Sequence, residues 1–328
     1  MTILSICLSP GFQRSVIIDT LALGEVNRLH RVDVDVSGKG VNVCRVLQRL
    51  GVASCCLSQG GNNADELMML AQQEGLDLRL IPSSGRVRTC TSIIEISPST
   101  GRRVTELVEP TPAVDAACVQ SLTATTQTML PSASALVIAG SMAAGFPKGY
   151  QAHLAALAHK AGVPVFIDLQ GSPLREVLTT QPTVVKINLA EFAATFLPDQ
   201  FKGGEHSGLL AEPLIASAVT DAVAEVSRHY ATSFVLTRGA NSILLVRAGD
   251  WRVVPVSPLP AQEIVSPIGS GDAFMAGMLA NLLSTGHLSA MDGASLDTLE
   301  VAVGLATACA QSNARTARPG FLEDSFVT

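Results

Sequence analysis

The segment Pro267-Ile268-Gly269-Ser270-Gly271-Asp272-Ala273-Phe274-Met275-Ala276-Gly277 joins an extended stretch to an apolar helix that is expected to run to about Leu283. Its two glycines let the backbone come close to a ligand. Consecutive N–H groups at a helix start form a ready site for an anion. Asp272 falls in the first turn, beside those donors. Taken alone, the segment reads as readily as a capped helix behind a tight turn. It is not a Walker A loop, because the Gly-Lys-Ser/Thr ending is missing. Nor is it a G-x-G-x-x-G fingerprint, because Phe274 stands at the last required position.

Working outward, short β-branched runs alternate with longer helical patterns. Strands are expected at 3–8, 53–58, 78–81, 135–139, 163–168, 183–186 and 233–237. Helices are expected at 39–50, 64–74, 147–161, 189–196 and 214–230, with Gly51 and Gly75 as natural stops. This alternation predicts an α/β fold with a mainly parallel sheet covered by helices on both faces, whose ligands bind beyond the carboxyl ends of the strands. Two segments break the rhythm. Residues 15–36 and 88–108 alternate apolar and polar positions, and Ser99-Thr100-Gly101 is expected to turn the second back on itself. They fit a small accessory sheet, discontinuous in sequence, or an antiparallel edge of the main sheet. Residues 198–208, polar and carrying Gly203-Gly204, fit a flexible surface loop.

The chain has 328 residues, enough to bury a core without staples. Hydrophobic residues make up 47% and charged residues 15%, which excludes a disordered chain. Aromatics are only 4%, so the core must be aliphatic. The net charge of −6, with no basic run longer than Arg102-Arg103, argues against nucleic acid as a partner. Seven cysteines, an odd number with no C-x-x-C pair, read as buried reduced thiols. Adjacent Cys55 and Cys56 point to opposite faces of a strand, which argues against a shared metal. The six histidines form no metal-spaced cluster with cysteines, and no G-x-S-x-G hydrolase elbow is present. No secretory signal and no run of about 18 apolar residues is found, so the expected location is the cytoplasm, away from membranes.

A second glycine-rich segment, Ser37-Gly38-Lys39-Gly40-Val41-Asn42-Val43-Cys44-Arg45-Val46-Leu47, also leads into a helix. Gly38 and Gly40 flank the only Lys of the first 147 residues, and Asn42 projects one turn in. It reads either as a turn with a solvated Lys or as a cradle for a polyol or phosphate. Together the two segments resemble the paired signatures of the PfkB (ribokinase-like) carbohydrate kinases, G-G-K-G-x-N-x-A and D-T-x-G-A-G-D-x-F-x-x-G. Five shorter stretches resemble the family in the same order along the chain. They are Cys7-Leu8-Ser9-Pro10-Gly11-Phe12-Gln13, Ala139-Gly140-Ser141-Met142-Ala143-Ala144-Gly145, Asp168-Leu169-Gln170-Gly171, Lys186-Ile187-Asn188-Leu189-Ala190-Glu191 and Thr237-Arg238-Gly239-Ala240-Asn241-Ser242. The resemblance covers essentially the whole chain. It implies one ribokinase-like domain over 1–328, with a β-sheet lid inserted at about 15–36 and 88–108.

The resemblance further implies ATP and Mg2+ as cofactors and an alcohol as phosphoryl acceptor. Asp272 would be the base, with the N–H groups of Gly269, Ser270 and Gly271 stabilising the transferring group. Lys186, Asn188, Glu191, Thr237, Arg238, Gly239 and Asn313 would surround the nucleotide, and Asn188 and Glu191 would reach the metal through water. Gly24-Glu25-Val26-Asn27-Arg28 and Gly85-Arg86-Val87-Arg88-Thr89 resemble the branch that phosphorylates sugar phosphates, such as 1-phosphofructokinase and tagatose-6-phosphate kinase. By that likeness Ser9, Gln13, Arg28, Gly38, Lys39, Asn42, Arg88 and Ser141 would bind a sugar phosphate, with Arg88 on the phosphate. The expected partners are this small molecule and a second copy of the chain, paired through the lid. The chain departs from the family at Gln13, where an Asp is usual, at Ser9, Ile187 and Ser270, at Ala143-Ala144 and at Ser266-Pro267. A kinase of an unphosphorylated sugar or nucleoside, and a non-catalytic relative that binds sugar phosphate or nucleotide, are the alternatives.

Overall fold

The computed structural model describes residues 2–97, 101–199, 213–288 and 295–326. In chain order its strands are β1 Thr2–Cys7, β2 Gly11–Ile18, β3 Arg31–Ser37, β4 Ser54–Gly60, β5 Leu78–Pro82, β6 Arg88–Ser97, β7 Gly101–Val108, β8 Ala133–Ala139, β9 Val165–Asp168, β10 Val184–Asn188, β11 Ser233–Arg238, β12 Asn241–Arg247 and β13 Asp250–Val254. The helices are α1 Lys39–Arg49, α2 Ala64–Gln73, α3 Ala116–Met129, α4 Tyr150–Lys160, α5 Gly171–Leu178, α6 Leu189–Phe196, α7 Pro213–Tyr230, α8 Ser270–Ser284 and α9 Leu296–Ala314. Nine strands form one sheet in the order β13-β12-β11-β10-β9-β8-β1-β4-β5. From β11 to β5 every neighbouring pair is parallel, and β12 and β13 add an antiparallel edge. The α/β architecture expected from the alternation is the one observed.

Period-2 alternation explains how the sheet is covered. Leu4, Ile6, Leu136, Ile138, Val185 and Ile187 face a layer built from α3, α4, α5, α6 and α7. Ile3, Ala135, Val137, Val184 and Val235 face the layer of α1, α8 and α9. Each fully buried Leu, Ile or Phe in these layers contributes about 1.5–3 kcal/mol. Helix α8 is apolar nearly all round because it lies between the sheet and α9. At Gly277 the two helices are so close that a Cβ would stand 2.8 Å from Ala306 Cα.

The two segments that break the rhythm form a separate four-stranded sheet, in the order β3-β2-β6-β7. Strands β2 and β3 pair antiparallel, as do β6 and β7, but β2 and β6 pair parallel. Strand β2 begins at Gly11, four residues before the expected start, so Gln13 lies within the small sheet, opposite Asp35 of β3. Pro10 has no N–H to extend β1, and Gly11 packs against Arg88, whose carbonyl oxygen would sit 3.1 Å from a Cβ. The 99–101 turn lies largely outside the described residues, as does the 198–208 loop from residue 200 onward. Among the described residues, no helix is long and apolar enough to cross a membrane. All seven cysteines are free thiols, and only Cys90 is not fully buried.

Candidate active site

The carboxyl ends of β1, β9, β10 and β11, the starts of α1 and α8, and one face of the small sheet enclose a cleft of about 1140 Å³. The cleft forms where parallel strands release their chains in the same direction. On its floor, α1 starts after Gly38, whose φ of 132° suits glycine, and a Cβ there would come 2.5 Å from Cys7 Sγ. Helix α8 starts after Gly269, at φ 83°. These two helix starts bring Lys39, Asn42 and Asp272 together.

Asp272 is buried and accepts a hydrogen bond from Asn42 Nδ2 at 2.8 Å on its Oδ2. Burial pushes its carboxyl up to about 6. Lys39 is the main opposing influence, Asp168 adds to the rise, and Asn42 and Lys186 hold it down. Asp168, at the end of β9, is pinned between two ammonium groups, Lys39 Nζ at 3.2 Å and Lys186 Nζ at 3.0 Å. Burial alone would raise Asp168, but the two cations outweigh it and hold it down to about 2. The negative Asp168 in turn raises the Lys39 ammonium above its usual range. The cleft floor thus groups Lys39, Asp168 and Lys186 around Asp272, a carboxylate whose proton affinity is raised toward neutral pH.

On the small-sheet wall, Gln13 Nε2 donates to Ser92 Oγ at 2.8 Å, which turns the Gln13 carbonyl oxygen away from Ser92. Glu106 on β7 accepts from the same Ser92 hydroxyl at 3.5 Å. The Arg88 guanidinium makes only long contacts, to the Ser9 and Glu109 carbonyl oxygens at 3.4 Å, and its buried Nε has no partner. Buried unpaired donors are uncommon and call for a ligand or a water. Ser9 Oγ lies 2.6 Å from Thr111 Oγ1.

On the opposite wall, Asn188 and Glu191 form a reciprocal capping box at the start of α6, with Glu191 N donating to Asn188 Oδ1 at 2.7 Å and Asn188 N to Glu191 Oε2 at 3.1 Å. Thr237, Arg238 and Gly239, at the β11–β12 turn, complete that wall. The Ser270 N–H donates to Pro267 O at 3.2 Å, so it is engaged within its own turn, while Ser270 Oγ is buried without a partner. A Cβ on Gly271 would stand 2.6 Å from Lys186 Nζ, which places that ammonium against the glycine loop. Among the described residues, no group of three or more His, Cys, Asp and Glu side chains could hold a metal ion.

Three of the expected residues stand outside the cleft lining. Arg28 is exposed in the connection between β2 and β3, a segment shaped by Asn27 bonding back to Ala22. Ser141 is exposed after β8, where Gly140, at φ 86°, turns the chain against Lys39. Asn313 is fully buried and spends its amide on Ile268 O at 3.0 Å and Gly320 N at 2.8 Å. It braces the glycine loop from behind instead of facing a ligand. Asp168, Glu106 and Arg45 were not among the expected site residues. Asp168 carried a signal in the Asp168-Leu169-Gln170-Gly171 stretch. The other two sit in ordinary strand and helix patterns, where nothing sets them apart.

The model of the pfkB family carbohydrate kinases matches residues 13–321. Among solved structures, the chain is similar to a Thermotoga maritima protein described as a possible 1-phosphofructokinase. The identity is 21% and the TM-score 0.78, over 99% of this chain and 95% of that one. It is similar to a Tyr-to-Asp mutant of phosphofructokinase-2 from Escherichia coli, with 20% identity and a TM-score of 0.78 over 97% and 94% of the two chains. A ribokinase from Thermotoga maritima shares the fold with 17% identity and a TM-score of 0.66, over 98% and 95%.

Proposed function

The chain belongs to the pfkB family of carbohydrate kinases, and from that premise we propose that it transfers the terminal phosphoryl group of ATP to a hydroxyl of a ketohexose phosphate, with Asp272 as the base. One observation carries this reading. A single cleft holds a buried carboxylate in the first turn of a helix and, on the facing sheet, a guanidinium with an unspent donor. Asp272 takes the hydroxyl proton as the oxygen bonds to phosphorus, and ADP leaves with the electron pair of the broken bond. The start of α8 and the Lys186 ammonium beside Gly271 stabilise charge on the moving group. Lys39 is fixed by Asp168, so it acts as a permanent cation and not as a competing base.

Thr237, Arg238 and Gly239 on one side and Thr307, Ala310 and Ala314 of α9 on the other suit a nucleotide between them. Among the described residues the donor set is too sparse for an ion caged by protein and suits Mg2+ bound chiefly through phosphate and water, which Asn188 and Glu191 would reach. When bound, the ion would neutralise phosphate charge. The similar structures include a possible 1-phosphofructokinase and phosphofructokinase-2, the latter also in a tetrameric inhibited form. For this chain we read a homodimer through the small sheet, whose edge strands β3 and β7 leave Val32, Val34 and Leu107 exposed.

A coupled ADP-release assay over free sugars, nucleosides and sugar phosphates tests the assignment. The expected result is turnover with fructose 1-phosphate, fructose 6-phosphate or tagatose 6-phosphate and none with unphosphorylated acceptors. Turnover confined to free sugars or nucleosides overturns it, and so does nucleotide binding without turnover on any acceptor.

Two variants probe the sugar end. Arg88→Ala should raise KM for the sugar phosphate about 10- to 100-fold, the worth of a charged hydrogen bond, and leave KM for ATP nearly unchanged. A change in the ATP constant alone would remove Arg88 from the phosphate. Gln13→Asp puts a full negative charge where a carbonyl oxygen now stands and withdraws the donor held by Ser92. It should change the ratio of kcat/KM values among ketohexose phosphates by roughly 10-fold, because a mismatched buried polar contact costs about 1–3 kcal/mol. An unchanged ratio across the panel would show that Gln13 does not touch the sugar.

A further inference from the structure

We infer that Arg45 is a positioning residue for the base: its guanidinium fixes the Asn42 side-chain amide so that the amide N–H, and not the carbonyl, faces Asp272. The inference rests on the assignment of Asp272 as base. Asn42 and Arg45 lie three residues apart on α1 and so share one face of the helix. Arg45 is 5% exposed. Its Nη1 donates to Asn42 Oδ1 at 2.9 Å and, at 3.4 Å, to Pro319 O. Its Nε donates to Glu74 Oε2 at 2.6 Å, its Nη2 donates to Val36 O, and its guanidinium lies 4.6 Å from the centre of the Phe321 ring.

The chemistry of the three groups leaves one arrangement. A guanidinium only donates, so it must meet the Asn42 oxygen. The Asn42 nitrogen then points the other way, where Asp272 Oδ2 accepts it at 2.8 Å. An ionised carboxylate only accepts, so both ends of the amide are satisfied. Turned through 180°, the amide would press its carbonyl oxygen on the carboxylate and its NH2 on the guanidinium. Among the described residues the one other donor near Asn42 Oδ1 is Ser37 Oγ at 3.5 Å, too long to hold the amide alone. Without Arg45 the amide can turn, Asp272 loses its donor, and its protonated form, which can donate to the turned oxygen, gains.

The charged groups that face Asp272 are all left unsubstituted when Arg45 and Glu74 are changed. Asp272 is faced by Lys39 of α1, Asp168 at the end of β9 and Lys186 of β10. Arg45 is faced by Glu74 beyond α2, with Arg318 and its partner Asp35 across the Phe321 ring. Removing Arg45 alone would leave Glu74 buried without a partner, so the neutral pair Arg45→Met with Glu74→Gln, which leaves no donor at position 45, is the cleaner variant.

The experiment compares this pair variant, Arg45→Lys and wild type by thermal melt, steady-state kinetics and the pH profile of kcat/KM. The pair variant is expected to lower kcat roughly 10-fold or more and to move the acid limb up by about one pH unit. KM for ATP should stay within a few-fold. Arg45→Lys, which keeps a donor for Asn42, should restore part of both effects. Carbon-13 titration of the Asp272 carboxyl gives the same shift without turnover, and it serves in the apolar pair Arg45→Leu with Glu74→Leu if the first pair variant does not fold. An acid limb and a carboxyl titration unmoved from wild type overturn the inference, even where activity falls with stability. The Asp272→Asn variant separates the two claims. Near-normal turnover there removes the base assignment itself, whereas loss of turnover there with an unmoved limb in the Arg45 variants removes only the positioning role.

Discussion

Replacing Asp272 with Asn is expected to lower kcat by about 100- to 10,000-fold, the usual worth of a general base, while nucleotide binding is retained. The substitution keeps the size of the side chain and an oxygen that can accept from Asn42. It removes the one group in the glycine loop able to take a proton. As the proposed base, the wild-type carboxyl, raised by burial to about 6, must be ionised to act, so kcat/KM should fall as pH drops through that value. The same shift carries a stability consequence of known sign. A carboxyl whose folded value lies above its unfolded value of 3.8 favours the native state fully below that unfolded value. This contribution is lost as pH rises through the folded value near 6. Asp272→Asn should therefore melt at or above the wild-type temperature at pH 7.5, with the difference closing toward pH 4. Low activity with raised stability would identify a group held for chemistry at the expense of the fold. Turnover within a few-fold of wild type would exclude Asp272 as the base.

Gly269→Ala should damage both the fold and the reaction. The residue sits at φ 83°, a left-handed conformation that costs any other L-residue about 1–2 kcal/mol. The added methyl would also lie 2.6 Å from Gly320 N and 2.8 Å from Pro319 Cα. These are backbone atoms and cannot swing aside. Gly320 is itself held by Asn313 Oδ1 at 2.8 Å and backs onto Asn42, so relief must come from the glycine loop. Overpacking of this kind typically adds about 1–3 kcal/mol. The melting temperature should fall by roughly 5–10 °C. A loop displaced by about 1 Å should cost kcat about 100-fold. Gly271→Ala is the matched comparison. Its methyl would meet only the far end of the Lys186 side chain, so its stability should change much less. Equal melting temperatures for the two variants would show that the loop yields freely at Gly269.

Much of this architecture was legible in the chain because the rules that govern it are local. Alternating aliphatic runs, glycine stops and the paired glycine segments place the strands of the parallel sheet and the helices that carry Lys39, Asn42 and Asp272. Helices α3 and α5 escaped notice. The first is rich in Ala, Thr and Gln with little apolar periodicity, and the second has only eight residues. The start of the first small-sheet segment was set four residues late, because the break at Pro10 hides that the chain passes straight into β2 at Gly11. Arg45 could not be singled out at all. An arginine inside an apolar helix looks solvated until residues 74, 319 and 321 arrive from distant parts of the chain. Asn313 shows the converse, since it stands in the expected stretch of the sequence but turns its amide to the backbone of its neighbours.

The segment Arg318–Phe321 closes the floor of the cleft late in the order of synthesis. The contact between Asn42 and Asp272 spans 230 positions, that between Arg45 and Pro319 spans 274, and that between Arg318 and Asp35 spans 283. The last strand of the main sheet ends at Val254, and α9 ends at Ala314. During synthesis every strand of the main sheet and the helices up to α8 precede Pro319 and Gly320 in the chain, so the sheet can form before that segment is available. Until they emerge, Arg45 and the glycine loop lack their last neighbours, and loops this long close slowly. A growing chain of this kind becomes a folded body before it becomes an enzyme.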